Sequence, residues 1–343
     1  MNYEKFMTKC IQLAKQGEGK VSPNPLVGCV VLDKNGNEIS SGFHSRYGEY
    51  HAERDALLKL KHGEEKDGTL IVNLEPCSHF GKTPPCTDLI IERGIKRVVI
   101  GMRDVNPIVN GIQKLKSAGI EVIEGVLEDK CRELNEVFIK NQTEHKPFIA
   151  IKTAATLDGK IATSNGSSKW ITSSKAREEV KNIRNRYDAI MTTSSTILAD
   201  NPTMEHRKKI ILDRELKIPQ DTKIYQSGEI FLFTNSHCER SAVIHSILTP
   251  TQNNKLDLEY IFNKAYELGI KSILIESGGR LNGEALKYAD KIYHFIAPKI
   301  TGDNSSKSCF DFRQITDIND SINFKINRVE NFEPDILLTY YPI

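Results

Sequence analysis

The spacing of hydrophobic and polar positions predicts alternating helices and strands along the whole chain. Near the amino terminus, Phe6, Cys10, Ile11 and Leu13 recur at helical intervals and predict a helix over residues 3–15. Short apolar runs follow, separated by helical segments and by turns that contain glycine or proline. This alternation is typical of an α/β fold, in which helices pack on central sheets.

Each half of the chain carries its own set of elements. In the first half the pattern predicts strands at 26–33, 69–73, 97–101 and 121–123, and helices at 3–15, from 51, after 86, ending at 119, and at 128–140. In the second half, strands and helices alternate over 148–153, 174–187, 189–193, 210–213, 229–234, 256–268, 272–276, 283–288 and 291–297. The polar stretch 141–147, closed by a proline, is predicted to be a linker between domains at 1–145 and 146–343.

Length and charge narrow the classes of function. A chain of 343 residues is long enough for two domains with separate cores. Lys plus Arg total 47 against 45 for Asp plus Glu, and a net charge of +2 offers no strong field for nucleic acid or a membrane surface. We see neither a secretory apolar core nor a bilayer-length apolar run. We therefore expect a cytoplasmic protein that binds a small molecule, with no nucleic-acid or membrane partner.

The cysteines also favour a reducing compartment. The chain has seven, an odd number without regular spacing, which argues against a disulfide framework. Two of them are better explained as metal ligands. The remaining cysteines are expected to be free, buried thiols: Cys10, Cys29, Cys131, Cys238 and Cys309.

Four residues carry the strongest chemical signal, His51 and Glu53 in HAER, and Cys77 and Cys86 in EPCSHFGKTPPC. One imidazole and two thiolates can hold zinc in a tetrahedral shell whose fourth position is open to water. A glutamate beside such a site moves a proton from that water to a departing amine. The pattern predicts a zinc hydrolytic deaminase, with His51, Cys77 and Cys86 as ligands and Glu53 as general acid and base.

The spacing of the two cysteines departs from the usual deaminase signature. Eight residues separate them, where two are usual, which excludes the commonest nucleic-acid and free-nucleoside deaminase pattern. Pro76, Pro84 and Pro85 favour a constrained loop that returns the second thiolate to the metal. His79, inside this loop, is an alternative ligand.

The second half contains weaker motifs. The segment ESGG at 276–279 follows an apolar strand, and its glycines would let backbone N–H groups approach a phosphate. Such turns are also common for steric reasons, so cofactor binding and a plain turn both remain open. The spacing is not that of the ordinary dinucleotide-binding fold. LADNP at 198–202 is consistent with a turn, and the charged run 207–209 with a solvated face.

Taken in order, these segments resemble the bifunctional deaminase and reductase of riboflavin biosynthesis over nearly the entire chain. The longest motifs are PNPLVGCV at 23–30, EPCSHFGKTPPC at 75–86 and KTAATLDGKIAT at 152–163, followed by WIT, LADNP and ESGG. The resemblance implies a cytidine-deaminase-like amino-terminal domain and a dihydrofolate-reductase-like carboxy-terminal domain.

The resemblance also implies two successive reactions. The first domain would use zinc to deaminate 2,5-diamino-6-(5-phosphoribosylamino)pyrimidin-4(3H)-one. The second would use NADPH to reduce the ribosyl side chain, giving 5-amino-6-(5-phosphoribitylamino)uracil. As in the family, a homo-oligomer is expected, with the number of copies left open.

Carried over position by position, the resemblance implies roles for further residues. Asn24 would lie over the pyrimidine, because an amide both donates and accepts at the edge of a heterocycle. The positions expected to contact NADPH are Ala154, Trp170, Thr196, Asp200, Gly278, Gly279, Arg280, Leu281, Asn282, Gly283 and Glu284. The positions expected to contact substrate are Lys152, Ser168, Arg184, Met204, Arg207 and Glu276. The two arginines are candidate phosphate clamps.

Some assignments in the second half stay open at this level. Asp200 or Lys152 is expected to assist opening of the sugar ring or to stabilise the imine that is reduced. Trp170, the single tryptophan, is interpreted from the sequence alone as a core aromatic. NADPH and NADH are not separated by the pattern, and the candidates for binding a 2′-phosphate are Lys175, Arg177 and Lys208.

Two segments depart from the family pattern, and two other functions compete. Residues 104–115 look shortened beside the deaminase pocket, and 207–210 runs almost directly into the next strand, so Arg207 is expected to be displaced.

One competing function is that of a cytidine or tRNA adenosine deaminase with an unrelated second domain, which the cysteine spacing and the charge balance disfavour. The other has an active deaminase and a non-catalytic or ligand-sensing second domain.

Overall fold

A computed structural model describes residues 2–81, 83–236, 244–311 and 313–343. The chain divides into two units, Met1–His145 and Lys146–Ile343. Each unit has its own sheet and its own apolar core. None of the helices in these described ranges has the length and apolar character needed to cross a bilayer.

The first unit is built on a five-stranded sheet, counted over the described residues, in the order β2-β1-β3-β4-β5. Its strands are β1 (Gly28–Leu32), β2 (Glu38–Phe43), β3 (Thr69–Leu74), β4 (Arg97–Met102) and β5 (Glu121–Ile123). β1 pairs antiparallel with β2 and β3, whereas β3, β4 and β5 run parallel. β1 and β3 are buried at every position, which explains their nearly continuous apolar sequences.

Helices pack against this sheet. They are α1 (Tyr3–Ala14), α2 (Ala52–Leu57), α3 (Cys86–Glu92), α4 (Gly111–Ser117), α5 (Glu128–Leu134) and α6 (Glu136–Glu144). α1 approaches β1 so closely that a Cβ at Gly28 would lie 2.1 Å from the carbonyl oxygen of Cys10. Glycine is therefore required at this contact.

Three features of the first unit differ from the predicted elements. The helix predicted at 128–140 is two helices that meet at Asn135, a buried residue whose side chain accepts from the Leu26 amide and donates to the Leu26 carbonyl. The stretch predicted to be a linker is helical as far as Glu144. β2 was not predicted, because most of its residues are partly exposed and it lacks a clear apolar pattern.

The second unit is built on a nine-stranded sheet in its described part, in the order β11-β10-β9-β8-β14-β6-β15-β18-β17. Its strands are β6 (Phe148–Thr156), β8 (Ala189–Thr193), β9 (Lys208–Leu212), β10 (Glu229–Thr234), β11 (Ile244–Leu248), β14 (Ser272–Ile275), β15 (Lys291–Ala297), β17 (Phe324–Phe332) and β18 (Asp335–Pro342). Along this order, the strands β11, β10, β9, β8, β14, β6 and β15 run parallel to one another. β18 pairs antiparallel with β15, and β17 pairs antiparallel with β18.

Two small strand pairs and four helices complete the second unit as described. The pairs are β7 (Lys160–Ala162) with β16 (Lys307–Ser308), and β12 (Thr251–Gln252) with β13 (Lys255–Leu256). The helices are α7 (Ser174–Asn185), α8 (Ser194–Asp200), α9 (Leu258–Glu267) and α10 (Gly279–Ala285).

Several predictions in the second unit are wrong in detail. LADNP is not only a turn, because Leu198 to Asp200 form the end of α8 and Asn201 then takes a positive φ of 41°. The helix predicted at 283–288 begins earlier, at Gly279. The β17–β18 hairpin was not predicted, since β17 is largely exposed. Lys209, in the charged run interpreted as a solvated face, is only 1% exposed.

The described cysteines are free thiols, namely Cys10, Cys29, Cys77, Cys86, Cys131 and Cys309. Cys10, Cys29 and Cys131 are buried as expected, but Cys309 is only partly buried. Cys238 lies outside the described residues.

Candidate functional site

His51, Cys77 and Cys86 meet in the first unit, between the start of α2 and the start of α3. The Nδ1 atom of His51 lies 3.5 Å from each of the two sulfur atoms, and the three candidate ligand atoms lie within 4.8 Å of one another. Tetrahedral zinc, with bonds of about 2.0 Å to nitrogen and about 2.3 Å to sulfur, requires nitrogen–sulfur separations of roughly 3.5 Å. The nitrogen–sulfur distances therefore fit a zinc ion.

The loop between the two cysteines brings the second thiol back to the first. The Cys86 amide donates to Cys77 Sγ at 3.3 Å, and the amide and hydroxyl of Thr87 both donate to the Cys77 carbonyl at 3.2 Å. These bonds place Cys86 at the first position of α3, facing Cys77. Among the described residues, His79 is not part of the three-ligand cluster and lines the adjoining cavity instead.

The surroundings of Cys77 favour its metal-binding form. Contact with the Cys86 thiol, together with the neighbouring His51, holds the pKa of Cys77 well below its usual range despite partial burial. A thiolate, rather than a thiol, is the form that binds a metal. The cluster therefore offers a ready ligand at neutral pH.

Glu53 lies on α2, two residues after His51, and is buried at the wall of the same cavity. Burial raises the pKa of its carboxyl to about 7, against the opposing effect of His51. A carboxyl group with a pKa near neutrality can both take up and release a proton. Its position and its pKa suit a proton shuttle.

A cavity of about 310 Å³ opens beside the cluster, and Asn24 and His44 lie in its wall. His44 Nδ1 lies 2.9 Å from the Tyr50 carbonyl, which can only accept, so this nitrogen carries the proton. His44 Nε2 must then accept from the Asn24 amide nitrogen, 3.1 Å away. Because burial lowers the pKa of His44, the neutral ring is favoured and the orientation of the Asn24 amide is set.

The sequence interpretation did not identify some residues of this cavity, among them Asp104 and Asn106. Burial raises the pKa of Asp104 to about 6, an effect that nearby Glu75 reinforces and a hydrogen bond from the Asn106 amide opposes. Glu75 itself accepts from the amides of Asp104 at 3.2 Å and Ile112 at 2.9 Å. Glu75 directly follows β3, and Asp104 lies two residues after the end of β4. Because ligands often bind at the carboxyl ends of parallel strands, these positions could have pointed to both acids.

In the second unit, Glu276 joins two of the other predicted substrate residues. Lys152 Nζ lies 2.8 Å from Glu276 Oε2, and Arg184 donates to the same carboxylate from Nε at 2.6 Å and from Nη2 at 3.1 Å. Burial would raise the pKa of Glu276, but Lys152 and Arg184 overcome it and hold the pKa at about 2. Residues from β6, α7 and the end of β14 thus form one charged cluster.

A second polar group forms where α8 approaches the turn before α10. The Thr196 hydroxyl lies 3.3 Å from those of Thr193 and Ser277. At the end of α8, Asp200 accepts from the Ser168 hydroxyl at 3.3 Å. The structure therefore pairs Ser168, a predicted substrate residue, with Asp200, a predicted cofactor residue.

The glycine turn has space for a ligand on one side. A Cβ at Gly278 would meet nothing within 4 Å, whereas a Cβ at Gly279 would lie 2.2 Å from the Ser308 carbonyl oxygen. The buried Asn282 donates to the carbonyls of Ser277 and Cys309, and its side-chain oxygen has no partner among the described residues. Open space beside backbone and a buried acceptor without a partner fit a polar cofactor.

The rest of this segment is placed differently. Leu281 belongs to the apolar core, Gly283 is buried and Glu284 pairs with Lys255. Arg280 is exposed. Within this segment, the backbone at Gly278 and the side chain of Asn282 are therefore the best placed to contact a cofactor.

The interpretation of Trp170 as a core aromatic is wrong, because this side chain is 64% exposed. The Arg177 guanidinium lies 4.3 Å from the centre of its ring, and Lys299 donates to its carbonyl at 2.7 Å. Ala154 lies on β6 two residues after Lys152, on the same partly exposed face of the strand. Both positions can be reached by a ligand.

Met204 and Arg207 lie in the segment between α8 and β9. Met204 has a positive φ of 42° and is buried in an apolar cluster with Ile190, Ile197 and Ile211. Arg207 is exposed and directly precedes β9. Of the two predicted substrate residues in this segment, Met204 is thus buried and Arg207 is exposed.

Comparisons with known proteins cover both units. Residues 1–102 match the family model of the cytidine and deoxycytidylate deaminase zinc-binding region, and residues 147–338 match that of the RibD C-terminal domain. The riboflavin biosynthesis protein RibD of Actinobacillus pleuropneumoniae is 39% identical, with 98% of this chain and 95% of that protein covered.

Two solved structures are similar over 99% of this chain and 99% of their own. One is a diaminohydroxyphosphoribosylaminopyrimidine deaminase/5-amino-6-(5-phosphoribosylamino)uracil reductase from Thermotoga maritima, with a TM-score of 0.91 and 41% identity. The other is Acinetobacter baumannii RibD, with a TM-score of 0.87 and 32% identity.

Proposed function

The chain belongs to the family of the riboflavin biosynthesis protein RibD, and from this premise we propose which of its residues carry the two reactions. The chain is a bifunctional enzyme of riboflavin biosynthesis, a zinc-dependent deaminase and an NADPH-dependent reductase. The predicted function and the predicted fold class, cytidine-deaminase-like followed by dihydrofolate-reductase-like, are confirmed. Because both family domains are present, the deaminase-only alternative is not favoured. We assign residues 1–145 to the deaminase and 146–343 to the reductase.

In the deaminase, we assign zinc binding to His51, Cys77 and Cys86. The observation that carries this assignment is the pair of 3.5 Å distances from His51 Nδ1 to the two sulfur atoms. Zinc held by these residues would lower the pKa of water to about 7 and so would supply a nucleophile near neutral pH. Glu53 takes up the proton that water loses and delivers it to the amine that leaves.

Recognition of the pyrimidine is assigned to Asn24, with its amide oriented by His44. The support is the chain of contacts from the Tyr50 carbonyl through the His44 ring to the Asn24 amide nitrogen. Asn24 then presents its remaining donor and acceptor capacity to the heterocycle. Asp104, at the wall of the same cavity, is a further candidate for contact with substrate.

In the reductase, we assign substrate binding to the cluster of Lys152, Arg184 and Glu276, together with Ser168, Met204 and Arg207. Arg184 and Arg207 supply donors for the phosphate. Of the two candidates for assisting ring opening, we favour Lys152, because Glu276 holds its side-chain nitrogen at 2.8 Å in a partly buried site. The carboxylate of Asp200 is engaged by Ser168.

NADPH binding is assigned to the open side of the glycine turn and to the residues around it. The side chains that we expect nearest the cofactor are those of Trp170, Thr196, Asp200 and Asn282, with backbone contacts from Ala154 and from 278–284. When bound, NADPH would supply the hydride, and these residues would orient it against the sugar carbon. The unpartnered side-chain oxygen of Asn282 and the space beside Gly278 support this placement.

We also propose a homo-oligomeric, cytoplasmic enzyme that binds a phosphorylated pyrimidine and no nucleic acid. The described cysteines form no disulfides, as is usual in a reducing compartment, and the cavity of about 310 Å³ suits one small molecule. The net charge of +2 offers no field for nucleic acid. Oligomerisation rests on the resemblance and on the exposed side chains of Ile326 and Val329 on the edge strand β17.

The assignment of the metal ligands is tested by zinc content and turnover. The protein is incubated with the diaminopyrimidine ribosyl phosphate, with and without NADPH, while ammonia release and product mass are followed. Cys77→Ala is expected to lose both zinc and ammonia release, whereas Glu53→Gln is expected to keep zinc and lose ammonia release. Cys131→Ala, a buried cysteine of the same unit, is the matched control and should keep both. A Cys77→Ala protein with full zinc content would refute the ligand set.

A further inference from the structure

Lys209 is a buried lysine of the reductase unit that neither reaction uses. It is the second residue of β9 and is only 1% exposed. Its ammonium donates to the Ile224 carbonyl at 2.8 Å, the Thr203 carbonyl at 3.0 Å and the Ser227 hydroxyl at 3.2 Å. Burying an ammonium group is costly unless its donors are satisfied, and here three acceptors surround it. An apolar side chain would fill this position at lower cost, which suggests that the ammonium has a specific task.

One of these hydrogen bonds lies next to a residue with a strained backbone conformation. The Thr203 carbonyl belongs to the peptide group that precedes Met204, and Met204 has a φ of 42°. A residue other than glycine in this left-handed region is strained and persists only where the surroundings impose it. By donating to the Thr203 carbonyl, Lys209 fixes the orientation of the peptide group between Thr203 and Met204.

The other bonds attach the same lysine to a separate segment. Ile224 belongs to the short 3₁₀ turn Lys223–Gln226, and Ser227 follows it. The amide of Lys223 in turn donates to the Asn201 side chain at 3.2 Å. Lys209 thus joins the segment 201–207 to the turn that lies against it.

The segment 201–207 is also tied to α7. The Nε2 atom of His206 lies 3.2 Å from the Arg184 carbonyl and 3.1 Å from the Tyr187 carbonyl, at the end of that helix. α7 carries Arg184, and segment 201–207 carries Met204 and Arg207. The proposed substrate residues of these two elements are therefore held in one arrangement.

We infer that Lys209 is a positioning residue of the reductase, whose ammonium fixes the Thr203–Met204 peptide and so sets the backbone at Met204 from which Arg207 reaches the substrate. This inference rests on the proposed roles of Met204 and Arg207. If Lys209 acts in this way, its loss weakens substrate binding more than it slows hydride transfer. NADPH affinity and deamination remain unchanged.

The test compares Lys209→Met with Lys209→Arg. Methionine keeps the length and the apolar stem but has no donor, whereas arginine keeps the charge and several donors. With NADPH saturating, the KM for the aminouracil ribosyl phosphate should rise about tenfold in Lys209→Met, the effect of one charge-assisted hydrogen bond, with kcat within about twofold of the parent. Lys209→Arg should restore at least part of the affinity.

Ser227→Ala provides a milder variant that removes only the weakest of the three contacts. It should raise KM in the same direction by a smaller factor. A folded Lys209→Met protein with the parental KM would overturn the inference. Equal losses of substrate and NADPH affinity would also overturn it, because they would show a general role in the reductase fold.

Arg207→Gln separates this inference from the proposed function. If Arg207→Gln alone leaves KM unchanged, the assignment of Arg207 to the substrate site is wrong, whatever Lys209 does. If both single variants raise KM and the double variant raises it by less than the product, Lys209 acts through Arg207 as inferred. Strictly multiplicative effects would show that it does not.

Discussion

Glu276 holds Arg184 through both of its carboxylate oxygens, with Nε at 2.6 Å from Oε1 and Nη2 at 3.1 Å from Oε2. The second oxygen also lies 2.8 Å from Lys152 Nζ, so that one buried carboxylate balances two cations. Three residues from a span of more than a hundred positions, 152 to 276, are thereby held as one unit. A phosphorylated sugar that binds here would meet cations whose directions are already set.

Glu276→Gln is expected to damage the reductase and leave the deaminase intact. The amide cannot balance Lys152 and Arg184, and breaking a buried ion pair typically costs about 3–5 kcal/mol. We expect reductase kcat/KM to fall more than about tenfold, with a lower thermal midpoint for the reductase unit. Reductase assays, ammonia release and calorimetry measure the three quantities. Glu330→Gln, on an exposed pair with Arg328, is the matched control and should change none of them.

His44→Phe is expected to weaken substrate binding in the deaminase without loss of zinc. Phenylalanine keeps a ring in place but cannot accept from Asn24, so the amide is no longer oriented. We expect the KM for deamination to rise about tenfold, the effect of one or two hydrogen bonds. His62→Phe, at an exposed histidine of the same unit, serves as control. Zinc loss in His44→Phe would show instead that His44 supports the metal cluster.

Asp104→Asn is expected to stabilise the protein at pH 8 and not at pH 4. Burial raises the pKa of Asp104 from 3.8 to about 6, so the folded protein favours the neutral carboxyl. The cost of ionising it in the fold therefore appears as the pH rises from about 4 to about 6 and persists above. Asparagine avoids this cost.

Thermal melts at the two pH values measure this difference. Asp129→Asn, at an exposed acid on α5, is the control and should shift the midpoint equally at both. An Asp104→Asn midpoint that differs from the parent by the same amount at pH 4 and pH 8 would contradict the prediction.

Trp170→Ala is expected to reduce NADPH affinity with little effect on stability. Because the side chain is 64% exposed, its removal should change the free energy of unfolding by no more than about 0.5 kcal/mol. Loss of an aromatic contact of about 1 kcal/mol should raise the Kd for NADPH roughly fivefold.

The binding itself can be followed in two ways. Trp170 is the single tryptophan of the chain, so NADPH should quench the intrinsic fluorescence of the parent protein. The fluorescence of NADPH reports binding to the variant. An unquenched tryptophan and an unchanged Kd would remove Trp170 from the proposed cofactor site.

Much of the chemistry could be predicted because it depends on residue type and local spacing. Only a few side chains bind zinc, and the pattern of His51, Glu53, Cys77 and Cys86 is specific even without coordinates. The apolar runs of β1 and β3 likewise reveal buried strands, since complete burial leaves no polar position. Deaminase chemistry and the α/β class follow from such local features, and the family comparison confirms both.

The surroundings of individual side chains were decided by the tertiary structure. Trp170 is a large aromatic residue of the type usually found in a core, yet it is exposed, whereas Lys209 lies in a charged run and is buried. His44 and Asp104 carry no motif, and they join the cavity because strands and loops distant in sequence converge there. Exposure, hydrogen-bond partners and pKa depend on atoms contributed by other segments, which no local pattern contains. The sequence by itself determined which chemistry was available, and the packing of distant segments decided which residues were placed to take part in it.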